Sequence, residues 1–188
     1  MRRIGGILIV AAVLILGFVL FGPKKTAPNG EPATNISKTM TITSSAFEHN
    51  GKIPKKYTCD GENVNPPLAI SGVPEGAKSL VLIMDDPDAP SGTFTHWILY
   101  DIDPKIKGIP ERIGDEIGIA GETSFGKIGY GGPCPPPGKP HRYFFKLYAL
   151  DFGLPPIDYK TPPQKEDIES GMEGHILAQA ELIGIYGR

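Results

Sequence analysis

The chain has 188 residues, of which 40% are hydrophobic, enough for a core and too many for wholesale disorder. Its two cysteines exclude a disulfide-dense miniature scaffold and a four-thiolate zinc centre. Residues 1–38 carry five basic side chains and one acidic one, which leaves 39–188 with a net charge of −6 and no basic stripe, and this argues against nucleic-acid binding.

From the N-terminus, Ile4–Phe21 is an uncharged apolar run behind Arg2 and Arg3. As a helix it would span roughly 27 Å, close to the thickness of a bilayer's hydrocarbon core. No small-residue cleavage box follows it, so residues 1–22 read as an uncleaved signal anchor, with a removed signal peptide as the alternative. The domain is then expected outside the cytoplasm, tethered to a membrane or, if cleaved, secreted. Residues 23–38 hold Pro23, Pro28, Pro32, Asn29 and Gly30 and read as a flexible linker.

The rest, 39–188, reads as one mainly β domain, because its many glycines and prolines interrupt short apolar runs. Strands are predicted at 39–47, 66–70, 79–85, 94–102 and 141–150. The run 79–85 is apolar throughout, as in a strand covered on both faces. Pro162-Pro163 opens a helix reaching Met172. A second helix is predicted over 174–183, where Ile176, Leu177, Ala180 and Ile183 form a stripe at helical spacing. The sum is a β-sandwich with one or two small C-terminal helices behind an N-terminal transmembrane helix.

Three clusters carry chemistry. Asp86-Pro87-Asp88-Ala89-Pro90 follows the buried strand, and its prolines stiffen a turn bearing two carboxylates. Alternation places His96 on one face with Phe94, Ile98, Tyr100 and Ile102, with Trp97 and Asp101 opposite. His141 and Tyr143 share a face with Phe145, Leu147 and Ala149, and Arg142 points away. Ahead of them, Tyr130-Gly131-Gly132-Pro133 offers backbone N–H groups that a ligand can approach closely. Carboxylates beside imidazoles favour charged histidines, which donate to an anion such as phosphate, sulfate or a carboxylate. Tight metal-ligand spacing is absent, and Cys134 sits among prolines with no nucleophile elbow, so neither a metal site nor a hydrolase is expected.

Asp86-Pro87-Asp88-Ala89-Pro90, His96-Trp97, Gly132-Pro133-Cys134-Pro135-Pro136 and His141-Arg142-Tyr143 together resemble the phosphatidylethanolamine-binding protein (PEBP) family. The branch is that of the bacterial and archaeal Raf-kinase-inhibitor-like proteins. Tyr57-Thr58-Cys59-Asp60-Gly61 and the ending Gly174-His175 to Arg188 are similar to that branch too, so the resemblance covers about 39–188. It implies a β-sandwich and a small anion pocket rather than an enzyme's active site, with no cofactor. Carried over, the pocket comprises Asp86, His96, Gly132, His141 and Tyr143, with Asp88 and Tyr130 as supports and Tyr186 as a weaker candidate. The implied ligands are phosphate-type or carboxylate groups, including phospholipid head groups. The alternative is an inhibitor of a serine protease or kinase that acts by surface contact. Cys59 and Cys134 are either a disulfide pair or two buried free thiols if the domain lies outside the cytoplasm, and remain free thiols if it faces inward.

Overall fold

In this computed structural model, residues 39–114, 116–154 and 161–188 are described. The predicted anchor 1–22 and linker 23–38 lie outside them, and among the described residues no helix is long and apolar enough to cross a membrane.

Among the described residues, nine strands and one α-helix follow in order: β1 (Thr41–Ser44), β2 (Gly51–Lys52), β3 (Leu68–Ser71), β4 (Ser79–Asp86), β5 (Phe94–Ile102), β6 (Gly108–Ile109), β7 (Ile119–Ala120), β8 (His141–Leu150), α1 (Lys165–Met172) and β9 (Ile176–Tyr186). They form a three-stranded sheet, β1-β3-β6, and a six-stranded sheet, β2-β9-β8-β4-β5-β7. The main core lies between the sheets. Ile42, Leu68, Ile70 and Ile109 come from the small sheet, and Leu80, Leu82, Met84, Trp97, Tyr143, Phe145 and Leu147 from the large one. The opposite face of the large sheet presents Val81, Ile83, Ile98, Tyr100 and Leu150 to Ile168 and Met172 of α1. All eight residues of β4 are therefore buried, which is why its sequence shows no alternation.

The second predicted helix is instead β9. It pairs antiparallel with β8 from His141↔Tyr186 to Leu150↔Ile176. Helix α1 starts with a capping box between Gln164 and Asp167, and Gly174, at φ +79°, follows its end. Beyond it, Ala178, Ala180 and Leu182 pack on the core at a period of two. Ten cross-strand pairs and that alternation outweigh the local helical preference of Ala-Gln-Ala-Glu-Leu.

Strand β5 holds two irregularities that strict alternation misses. Met84 pairs with Trp97 but Asp85 with Thr95, so His96 is an extra residue, a β-bulge. A second shift lies between the Leu80↔Ile102 and Leu82↔Leu99 pairs, where Asp101 adopts φ +54°. Ile98 and Tyr100 thus face α1 whereas Ile102 returns to the main core, contrary to the single face expected from the sequence.

Candidate anion-binding site

The ends of β4, β5 and β8 bring the predicted residues together. Asp86 closes β4, 3% exposed, and His141 opens β8. The two form a bond of 2.7 Å from His141 Nδ1–H to Asp86 Oδ2. The other carboxylate oxygen of Asp86 accepts the backbone N–H of Asp88 at 2.9 Å, which shapes the proline-flanked turn. Asp88 itself turns outward to Arg142. Nε and Nη2 of that guanidinium donate to its two oxygens at 2.8 and 2.7 Å, and the Arg142 backbone N–H adds a third bond. This fork holds the Asp88 carboxyl down at about pKa 2, chiefly through the side-chain hydrogen bonds. Asp88 is therefore a support that ties the turn to β8.

The bulge sets the His96 ring edge-on against Tyr143, with centroids 5.2 Å apart. Its Nδ1 lies 2.8 Å from the Gly131 carbonyl, which can only accept, so Nδ1 carries the proton. Burial holds the His96 pKa below its ordinary value, against smaller opposing effects of the Gly131 carbonyl and Asp86. This corrects the expectation of two charged imidazoles: His141 has the carboxylate partner, whereas His96 is held neutral on a backbone carbonyl.

The glycine turn also differs from its predicted role. Gly131 N–H donates to the His96 carbonyl and Gly132 N–H to Asn63 Oδ1, so neither is left for a ligand. A Cβ at Gly132 would lie 2.5 Å from the Tyr57 carbonyl oxygen, so the close approach that requires glycine is to the protein's own backbone. Tyr130 Oη donates to the Tyr57 carbonyl at 2.7 Å, its ring edge-on to Trp97, and it acts as a support. Cys59 and Cys134 are bonded, S–S 2.10 Å, joining the same two segments. Tyr186, the weaker candidate, donates to Asp60.

Tyr143 stands apart. It is fully buried, and its hydroxyl finds no partner in good hydrogen-bond geometry, although the Asp86 carboxylate and the Cys134 backbone N–H lie near it. Burial and the nearby Asp86 carboxylate push its pKa upward, so it stays a neutral donor. A buried donor without a well-placed partner is uncommon, which makes Tyr143 a candidate ligand contact.

Two contributors escaped the sequence reading. Asp85, fully buried on the α1 side, accepts from Lys165 (2.9 Å), Lys146 (3.1 Å) and Thr95 (3.1 Å). Two adjacent carboxylates ending a strand must face opposite sides, and that was the available signal. Phe125, edge-on to His96 at 5.2 Å, comes from a loop with no periodic pattern to announce it.

Two packed sheets with this cluster at one end define a PEBP-type binding domain. The sequence profile of the phosphatidylethanolamine-binding protein family matches residues 43–187, and the chain belongs to that family. The UPF0098 protein of Methanothermobacter thermautotrophicus is 49% identical over 154 residues, a match covering 79% of this chain and 99% of that one. Among solved structures, the PEBP homologue CT736 from Chlamydia trachomatis superposes with a TM-score of 0.75 at 43% identity, covering 81% of this chain and 99% of that one. YbcL of E. coli, described as a member of the mammalian PEBP family, gives 0.73 at 30% identity, covering 79% and 98%.

Proposed function

We propose that residues 39–188 bind a small oxyanion, a phosphate-type or carboxylate group, without chemically transforming it. The observation that carries this reading is the buried Tyr143 hydroxyl, without a well-placed partner, beside the His141–Asp86 pair. Tyr143 donates to the anion, and Asp86 fixes His141 with Nδ1–H inward, which leaves Nε2 for the ligand. Binding rather than catalysis is supported by the nucleophiles at hand. Both thiols are consumed in the disulfide, and the imidazoles bond to the Gly131 carbonyl and the Asp86 carboxylate rather than to a hydroxyl they could activate.

The apolar run Ile4–Phe21 supports a membrane tether, and the Cys59–Cys134 bond supports a domain outside the cytoplasm. The test is a titration of the full chain with inorganic phosphate and with phosphoethanolamine, following histidine ring signals by NMR. Shifts are expected at His96 and His141 but not at His49 or His175, which lie elsewhere on the surface. Silence at both site histidines at millimolar ligand would overturn the anion site and favour an inhibitor acting by surface contact.

A further inference from the structure

Next to the anion cluster lies a cavity of about 340 Å³. Its walls include Phe125, Ile128, Tyr130 and the Cys59–Cys134 disulfide, with Lys127 beside them. Phe125 is 41% exposed and Ile128 60%, and among the described residues they are two of the four large hydrophobic side chains so exposed. Exposed apolar side chains gathered at one cavity mark a contact surface.

The cavity and the anion cluster share structure. Phe125 packs edge-on against His96 and Phe94, with centroids 5.2 and 4.7 Å away. Gly131, also in the cavity wall, holds His96 through its carbonyl, and a Cβ on it would meet the Phe125 ring at 2.4 Å. Three polar side-chain atoms of the walls are already committed. Asn63 Oδ1 accepts from Gly132, Tyr130 Oη donates to Tyr57, and Thr123 Oγ1 donates to the Lys127 carbonyl. Apart from Lys127, a polar guest would find few partners there, whereas an apolar one loses little. The volume exceeds the roughly 150 Å³ that holds a benzene ring in a protein interior.

We infer that this cavity is a subsite for the apolar part of the ligand: the site takes a phosphomonoester whose phosphate sits at His141 and Tyr143 and whose aryl or short branched alkyl group lies against Phe125, Ile128 and Tyr130. The inference rests on the proposed anion site and deepens it, because it separates such esters from free phosphate. Lys127 has no ion pair among the described residues and adds a positive charge near the junction.

The experiment compares methyl phosphate with phenyl phosphate by calorimetry on the full chain, in the wild type and in Ile128→Asp. At 60% exposure, Ile128 tolerates that change without harm to the core. Phenyl phosphate is expected to bind about tenfold or more tightly than methyl phosphate. Ile128→Asp should remove most of that advantage, its added negative charge weakening both esters alike, and Ile128→Leu should restore it. Equal affinity for the two esters in the wild type would overturn the subsite while leaving the anion site standing. So would an advantage that survives Ile128→Asp intact. Neutral phenol serves as a separate probe. If it shifts the Ile128 methyl signals while inorganic phosphate shifts neither site histidine, the anion site falls, and the joined ligand with it.

Discussion

His96 is the residue on which burial and charge compete most directly. Its folded pKa lies below the ordinary value, so near pH 6 the unfolded chain binds a proton that the folded chain refuses. Stability therefore falls as pH drops from about 7.5 towards 5, and His96→Asn, which keeps a side-chain N–H for the Gly131 carbonyl, should flatten that slope in melting curves. A slope unchanged in the variant would assign it to another group. Binding follows the same proton. With Nδ1–H given to Gly131, His96 offers an anion a second N–H only after protonation of Nε2. The charges acting on it are Asp86, on the same face, and Asp85 through the sheet, with His141 and Tyr143 from β8 around the same cluster. Sulfate, whose own charge is constant across this range, should bind more tightly at pH 5.5 than at pH 8. Equal affinity at both would exclude proton uptake by the site. Asp88 works in the opposite direction. Its carboxyl is held near pKa 2, so its contribution is complete above its ordinary pKa and is lost as pH falls towards 2. Because the Arg142 side chain is 54% exposed, solvent screens the fork and its contribution is small. Asp88→Asn should lower the urea midpoint accordingly at pH 6 and hardly at all at pH 2.

At the scale of elements, β4 divides two jobs between neighbouring carboxylates. Asp85 anchors α1 and β8 through two lysines on one face, and Asp86 serves the site on the other. Asp85→Asn should cost about 3 kcal/mol, the low end for breaking a buried pair, because Lys146 and Lys165 keep some contact with water. Phosphate affinity should hardly change. Asp86→Asn should do the reverse, losing affinity with a smaller loss of stability. If both variants weakened phosphate equally, the two faces would not be independent. The legibility of each element follows the same physics. Strands β4, β5 and β8 were readable because they are long and apolar, and the His141–Tyr143 face was readable because β8 alternates without interruption. Strand β9 was misread because Ala, Gln, Glu and Leu suit a helix, and only its long partner β8 decides otherwise. The face of β5 was misread because a bulge leaves no mark in residue type. The partners of Gly131, Gly132 and His96 depend on a loop folded back by Asn63 and Tyr57, contacts about 70 residues apart that no local pattern encodes.

At the scale of the whole molecule, the site is assembled where three strand ends meet one loop, and that loop is held from outside the sheet. Four ties fasten it to the segment 57–63: the Cys59–Cys134 bond, Cys59 N–H to the Pro133 carbonyl, Tyr130 Oη to the Tyr57 carbonyl, and Gly132 N–H to Asn63. The bonded cysteines are 75 residues apart, a separation that removes much unfolded-state freedom, so the Cys59→Ser/Cys134→Ser double variant should lose roughly 2–4 kcal/mol in urea unfolding. The consequence for the site is separate from that loss. Gly131 lies three residues before Cys134 and fixes both the proton position and the orientation of His96. Loosening the loop should therefore weaken phosphate severalfold even under conditions where the variant is fully folded, and should broaden the His96 ring signal more than that of His141, which is held by Asp86 on β4. If the variant loses stability but keeps wild-type phosphate affinity and a sharp His96 signal, the three hydrogen bonds alone position the loop and the disulfide acts on the unfolded chain alone.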